Sequence, residues 1–344
     1  YRVAVPAIWK HHLVRASVSG GSDTPVPAAT PRIVRTRSGP LVQWATVHAV
    51  GECGRPGASM TDQDPQPGTA APGWEEANAE TAAGWEANAD WTDDRLRPVT
   101  DWLIERSGVQ AGDIVLDLAA GPGGVGHRAA ELVGSEGRVL STDLAPAMVE
   151  AAKRLGAQRG LSNVEYRVMD AQAMGLDDDA VDVIVCRSGF MLMPNPAVAL
   201  RESRRVLRPG GNLAFSVFAA PERNPFVGVP PSVFIELGHL PPPPPGAPGV
   251  FAMSDSSRIR ELLVEEGFQV HAIEALDLEG PFPNEEVIVD RVLEMNARVG
   301  PVYRSLDDDE QAQARQALID RFRTFRRANG TVVLPTHMWG VHAR

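Results

Sequence analysis

The feature that most limits the folds open to this chain is a steady alternation between residues 113 and 219. Short apolar runs (DIVLDLA at 113–119, RVLSTD at 138–143, VEYRVMD at 164–170, VDVIVCR at 181–187, NLAFSVFA at 212–219) are separated by stretches of helical character. Helices are expected from about Gly123 to Val133, over Pro146 to Gln158 with proline in the first turn, and over 196–207, where Arg208-Pro209-Gly210-Gly211 stops the last. Apolar strands alternating with amphipathic helices predict an α/β fold: a doubly wound, mostly parallel sheet covered on both faces. Ligands of such sheets sit at the carboxyl ends of the strands, near the point where strand order reverses.

The flanks divide the chain further. Residues 1–59 begin with Tyr, lack Met and show neither helical nor strand periodicity, so they read as a non-native or disordered N-terminal extension with Met60 as the natural start. An Arg-rich organelle-targeting peptide is the competing reading. Residues 60–110 read as an N-terminal helical lid, helical from Trp74 to Ser107 and ended by Gly108; its tryptophans are either packing residues or a cover over a ligand. WEEANA at 74–79 is echoed by WEANA at 85–89, but two copies fall short of a repeat architecture. The core spans 111–220, and 221–344 is expected to supply an inserted cap and the completion of the sheet. Prolines crowd 221–250, which argues against regular helix in most of that segment. A helix over 256–266 capped by Ser254 or Asp255, a strand at 268–276, helical stretches over 284–328 and a final strand at 331–343 complete the expectation.

Composition narrows the function. The net charge is −11, but residues 1–59 hold seven Lys/Arg against two acids, so the remainder carries −16. A strongly acidic main part argues against nucleic acid as a partner. No apolar run is long enough for a membrane helix and no secretory h-region is present, so a cytoplasmic chain, monomer or homodimer, is expected. Cys53 and Cys186 alone make neither a disulfide framework nor a zinc set, so no metal is expected.

Between the first strand and its helix lies Gly121-Pro-Gly123-Gly-Val-Gly126, a literal G-x-G-x-x-G with the acidic Asp143 about twenty residues on, as a dinucleotide fingerprint requires. Three carboxylates bear on the choice of ligand. Asp117, just ahead of the loop, would repel a pyrophosphate but suits the ammonium and sulfonium of S-adenosyl-L-methionine. Asp143 can accept ribose hydroxyls of either cofactor, and Asp170 is placed for an adenine amino group. The loop glycines let the main chain approach the ligand closely, and Gly126 reads as helix packing only.

LDLAAGPGG, TDLAPAMV, MDAQAM and VDVIVCRSGFMLMPNPAVALRESRRVLRPGGNLAFSVF together resemble the class I S-adenosylmethionine-dependent methyltransferases of the type 11 branch, similar to the ubiquinone/menaquinone C-methyltransferases (UbiE-like). The resemblance covers roughly residues 80–344. It implies a seven-stranded Rossmann-like sheet whose last strand is antiparallel, and S-adenosyl-L-methionine as cofactor. It also implies site roles: Asp117, Ala119, Gly121 and Gly123 around the methionine part, Asp143 and Leu144 at the ribose with Met148 nearby, Asp170 and Ala171 at the adenine, Cys186 and Arg187 beside the sulfonium. Pro122 and the Ala119-Ala120 pair depart from a commoner Gly/Cys loop.

Methyl transfer from a sulfonium is an in-line displacement that needs alignment and exclusion of water more than obligatory catalytic groups. A carbon or oxygen acceptor of high pKa still needs a base, for which His337 and His239 are the candidates, with Glu222 behind them; Arg187 can hold an anionic acceptor or pair with a neighbouring acid. His127 is expected at the surface. CRSGFMLMPNP after the fourth strand lacks the Asn/Asp-Pro-Pro-Tyr pattern of nucleobase methylation. Phe190 to Met193, with Phe218, Phe226, Val229, Phe234 and Trp339, suggest a small apolar or aromatic acceptor. An NAD-dependent oxidoreductase and a non-catalytic S-adenosylmethionine-binding protein are the alternatives.

Overall fold

The computed structural model describes residues 74–244 and 246–344, with side chains from 81 onward. The chain divides into two units, Tyr1–Asp62 and Gln63–Arg344. The first lies outside the described residues, and with it the expectations for 1–59 and Met60.

The central runs form strands because their apolar and β-branched side chains fit a sheet buried on both faces, whereas the run at 164–168 is only partly buried. β1 (Ile114–Leu118), β2 (Arg138–Asp143), β3 (Val164–Val168), β4 (Val181–Arg187), β5 (Leu207–Phe218), β6 (Val270–Phe282) and β7 (Val332–Ala343) build one sheet in the order β3-β2-β1-β4-β5-β7-β6. β7 runs antiparallel to β5 and β6, as the resemblance implies, and the other neighbours are parallel. Strand order reverses at β1, between β2 and β4, which places the switch point above the glycine loop.

The helices α1 (Trp74–Ala87), α2 (Ala89–Arg95) and α3 (Arg97–Ser107) precede the sheet, and Gly108 in left-handed conformation ends the third. α4 (Gly124–Val133) and α5 (Pro146–Gln158) follow β1 and β2. α3 and α4 cover one face through Val99, Leu103, Val125 and Ala129, all at most 2% exposed. α6 (Pro196–Val206) and α8 (Ser256–Glu265, capped by the Asp255 carboxylate) cover the other through Leu200 and Leu263.

Three segments differ from expectation. Arg208-Pro-Gly-Gly does not end pairing: β5 starts at Leu207, and the extra residues are taken up by a register shift between Val181/Leu207 and Val183/Asn212, with Gly210 at φ +79°. The proline-rich segment holds a helix, α7 (Pro225–Glu236), with Pro230 and Pro231 inside it. Internal prolines cost a helix about 3 kcal/mol, and burial of Val233 and Phe234 in the cap core offsets that cost. β6 continues past 276 to Phe282 and pairs with β7 as far as Val332, whereas β5 stops opposite Met338. A two-stranded ribbon therefore rises beyond the carboxyl edge of the parallel strands. On it sits the cap of α7, α9 (Glu285–Met295), α10 (Val299–Ser305) and α11 (Asp308–Arg323), around Phe282, Val292, Leu318 and Phe322. No described helix is long and apolar enough to cross a membrane.

Candidate active site

After β1 the main chain turns sharply, with Ala119, Gly121 and Gly123 at φ +50°, +54° and +88°. Those left-handed values suit glycine and strain Ala119. The turn is held by main-chain donors: Ala120 N–H bonds the Thr142 carbonyl at 2.8 Å, and Gly121 N–H bonds Asp143 Oδ2 at 2.9 Å. Asp143 Oδ1 accepts from Ala145 N–H at 3.0 Å. Both oxygens of Asp143 are thus fixed from behind, and each keeps acceptor capacity for a ligand hydroxyl. Burial raises its pKa above the ordinary carboxylate value. A Cβ built on Gly121 would meet nothing within 4 Å, so open space lies directly over the loop.

Asp117 does not stand at the mouth of the loop. It is 1% exposed on β1 and its Oδ2 accepts from Gly126 N–H in the first turn of α4 at 2.7 Å. A Cβ at Gly126 would lie 2.7 Å from that oxygen, so Gly126 is glycine because Asp117 occupies its side-chain space, which is more than helix packing. Asp117 Oδ1 is buried without a partner. Burial pushes this carboxyl up to about 7, against the opposing pull of Gly126 N–H and the Arg187 charge.

At the next strand ends, Asp170 is half-buried and its Oδ1 accepts from Gln172 N–H at 2.8 Å, beside the buried Ala171. Leu144 and Val168 remain 47% and 50% exposed, leaving apolar surface at the ends of β2 and β3; Val168 escaped the sequence reading because its neighbours gave it an ordinary strand pattern. Met148 is half-buried in α5. The Cys186 side chain is fully buried in the core, where burial pushes the thiol up to about 12, so only its main chain is left for the edge.

Ser188 was also missed. It sits just past β4 at φ +66°, its N–H on the Ser216 carbonyl at 2.9 Å and its Oγ buried without a partner. Ala119 and Ser188 are thus strained residues on the two central strand ends, packed against each other through Gly189, whose Cβ would lie 2.6 Å from Ala119 Cβ. No sequence pattern marks a serine for that conformation; the tertiary contact imposes it.

The catalytic candidates fare differently. The Arg187 guanidinium is engaged with Asp93 of α2 at 3.0 Å and Thr100 of α3 at 2.8 Å, so it pairs with an acid and fastens α2 above the edge. His239 lies past the end of α7 in the cap, edge-on to Phe234, with Nε2 buried and unpartnered. His337 on β7 is 6% exposed; its Nδ1 lies 2.5 Å from Asp277 Oδ1 and its Nε2 3.4 Å from Arg223 Nη1. His127 is buried, not at the surface: its Nε2 meets Tyr166 Oη at 3.1 Å, and burial and the Arg159 charge push its pKa down to about 4, so it is a neutral prop under Gly123.

The apolar residues expected around the acceptor are divided. Phe190, Met191, Phe218 and Trp339 belong to the core beneath the sheet edge, while Phe226, Val229 and Phe234 belong to the cap. Phe226 stacks on Phe282 and meets Trp91 of α2. The reason is orientation: Trp339 turns its Nε1–H to the Ser254 carbonyl on the α8 side, away from α7.

A doubly wound sheet with a glycine turn, a strand-end carboxylate held by two main-chain donors and strained residues at its switch point defines an α/β protein of the kind that binds a ligand in the crevice there. A methyltransferase-domain family model matches residues 110–228. Aklanonic acid methyltransferase of a Streptomyces species is 34% identical over 153 residues, 42% of this chain and 67% of that protein. The ubiquinone/menaquinone biosynthesis C-methyltransferase of Teredinibacter turnerae is 37% identical over 124 residues, 36% of this chain and 50% of that protein, so the chain spans about half the length of such curated relatives. A crystal structure of an S-adenosylmethionine-dependent methyltransferase from Aquifex aeolicus aligns over 75% of this chain and 97% of that one, at 18% identity and a TM-score of 0.44. The chain belongs to the class I S-adenosylmethionine-dependent methyltransferases of the UbiE-like type, whose cofactor is S-adenosyl-L-methionine. The residues present are compatible with such a ligand: the space beside Gly121 is open, and Asp143 keeps acceptor capacity on both oxygens.

Proposed function

We propose that this protein transfers a methyl group from S-adenosyl-L-methionine to carbon or oxygen of a small apolar or aromatic acceptor. The observation that carries the reading is the open space over Gly121 beside an Asp143 fixed by two main-chain donors. The names of the relatives, a quinone-pathway C-methyltransferase and an aklanonic acid methyltransferase, support a ring-bearing acceptor.

When bound, the cofactor supplies a methyl group on a positively charged sulfur. The chain's own part is to hold and to exclude water. Asp143 takes the ribose hydroxyls, the turn at Ala119–Gly123 admits the methionine part, and Asp170 with Ala171 receives the adenine beside Leu144. Asp117, buried with one oxygen unpartnered, favours a cationic neighbour once ionised. The Arg187–Asp93 pair keeps α2 over the edge. We assign the base to His337, whose Nδ1 is fixed by the Asp277 carboxylate; its Nε2 faces Arg223 Nη1 at 3.4 Å, and that contact has to open before Nε2 takes a proton. Arg187 is already paired and His239 sits in the cap.

Labelled S-adenosylmethionine offered with phenolic, quinone and amine acceptors tests the reading, with S-adenosylhomocysteine and NAD compared by calorimetry. Asp143→Ala should weaken S-adenosylhomocysteine by about 1.5–3 kcal/mol, as expected for loss of a charged hydrogen-bond partner. His337→Gln should lower turnover while leaving that affinity unchanged. Tight NAD binding, or transfer only to macromolecules, would overturn the proposal.

A further inference from the structure

On the other side of α2 from Asp93 lies a cleft of about 410 Å³, walled by Trp91, Arg95 and Pro98 and by Leu278, Gly280 and Pro281 of the β6–β7 ribbon. None of the glycine-turn or strand-end residues lines it. Its floor holds Arg95, which has no carboxylate partner among the described residues. The Arg95 guanidinium lies over the rings of Trp91, Phe226 and Phe282 at 5.7, 5.7 and 5.1 Å. Its one hydrogen bond among the described residues goes to Thr336 Oγ1 at 3.0 Å, although a guanidinium carries five N–H donors. Burial draws its pKa down to about 10. Gly280 makes room for it, since a Cβ there would fall inside the guanidinium.

Three carboxylates line the same cleft, and each is committed elsewhere. Asp94 pairs with Arg97, Asp277 with Arg223 and His337, and Glu279 with Arg327. Each of those carboxylates has an arginine partner, so among the charged groups that line the cleft Arg95 is the one without an ionic partner in the described residues, and it is set among aromatic and aliphatic surface. Ring faces partly compensate a half-buried cation, but an unpaired charge withdrawn from water remains costly, and a ligand carboxylate presents the planar acceptor pair that a guanidinium matches.

We propose that this cleft is a second binding site that takes a small monocarboxylate with an apolar, aromatic body, its carboxylate on Arg95 and its ring against Trp91, Pro98 and Leu278. The volume suits a body of one or two rings. The site stands whatever ligand the glycine turn holds, because it shares no residue with that turn or with Asp143 and Asp170; Asp277, which lines the cleft, also meets His337. α2 separates the two, carrying Asp93 toward Arg187 and Trp91 with Arg95 toward the cleft.

Calorimetric titration of the full chain with naphthoate, in the presence of saturating S-adenosylhomocysteine, tests this. One site is expected, weakened roughly ten- to a hundredfold in Arg95→Met, as for loss of a charge-assisted hydrogen bond, and weakened by at least tenfold when neutral naphthamide replaces naphthoate. Gly280→Ala, which keeps the charge but displaces the guanidinium, should weaken naphthoate as well, so the outcome does not rest on the folding of one variant. Asp143→Ala should leave naphthoate binding unchanged. If the acid is the acceptor's own, labelled methyl appears on naphthoate-like acids; if it is a separate effector, the acid binds and stays unmethylated. Absence of millimolar binding, equal binding by Arg95→Met and Gly280→Ala, or competition with S-adenosylhomocysteine would overturn the proposal.

Discussion

The carboxyl edge of β1 to β4 and the cap above it are held together by different means. At the edge the fastenings are local and run through the main chain: Gly121 and Ala145 N–H on Asp143, Gly126 N–H on Asp117, Ala120 N–H on the Thr142 carbonyl. In the cap they are side chains from distant segments, with Trp91 of α2, Phe226 of α7 and Phe282 of β6 in mutual contact and Arg326 on the buried Glu285. Main-chain fastening fixes a ligand turn regardless of which apolar residues pack nearby. Side-chain fastening makes a chamber whose shape depends on every contributor.

That contrast predicts a separation of effects. The largest is expected in the cap. Phe322→Ala, at a fully buried site, should cost about 3–5 kcal/mol in urea unfolding, while the folded fraction binds S-adenosylhomocysteine with an unchanged Kd. A parallel loss of affinity would show that cap and edge form a single energetic unit. Gly121→Val at the edge should do the reverse. Its side chain enters the open space over the turn and should raise the Kd more than about a hundredfold, near 3 kcal/mol, for a stability loss of only about 1–2 kcal/mol from the left-handed backbone. Retained binding would sink the site assignment.

The smallest effect sharpens the role of Asp117. Its folded pKa, about 7, lies above the ordinary 3.8, so the fold without ligand binds a proton that the unfolded chain has released between those values. Stability therefore falls as pH rises from about 4 to about 7. Asp117→Asn keeps an oxygen for Gly126 N–H and removes the buried charge. The variant should be more stable than the parent by about 1–2 kcal/mol at pH 8, with a smaller difference at pH 5, as read by urea titration. A variant less stable at pH 8 would show that the ionised form has a hidden partner.

Much of the edge was legible because its signals are local. The runs at 114–118, 138–143 and 181–187 carry short apolar, β-branched stretches, Pro146 marks the start of α5, and Asp143 follows the turn at a fixed distance. Misreadings came where a distant partner decides. Pro230 and Pro231 argue against helix until the cap core buries their neighbours. His127 looks exposed on a helix until Tyr166 and α5 close over it. Asp117 looks open to the loop until burial and the Gly126 N–H on one of its oxygens withdraw it, and Ser188 carries no local mark of its strained backbone.

The sequence by itself determined the doubly wound sheet, the position of the glycine turn and the three carboxylates at or near the strand ends, because periodicity and turn chemistry act over a few residues. Only the tertiary structure decided that Arg187 serves α2, that His337 meets Asp277, and that Arg95 lies half-buried among three rings with no carboxylate partner in the described residues. Those pairings join residues far apart in the chain, and their energies depend on desolvation and geometry that no local pattern encodes.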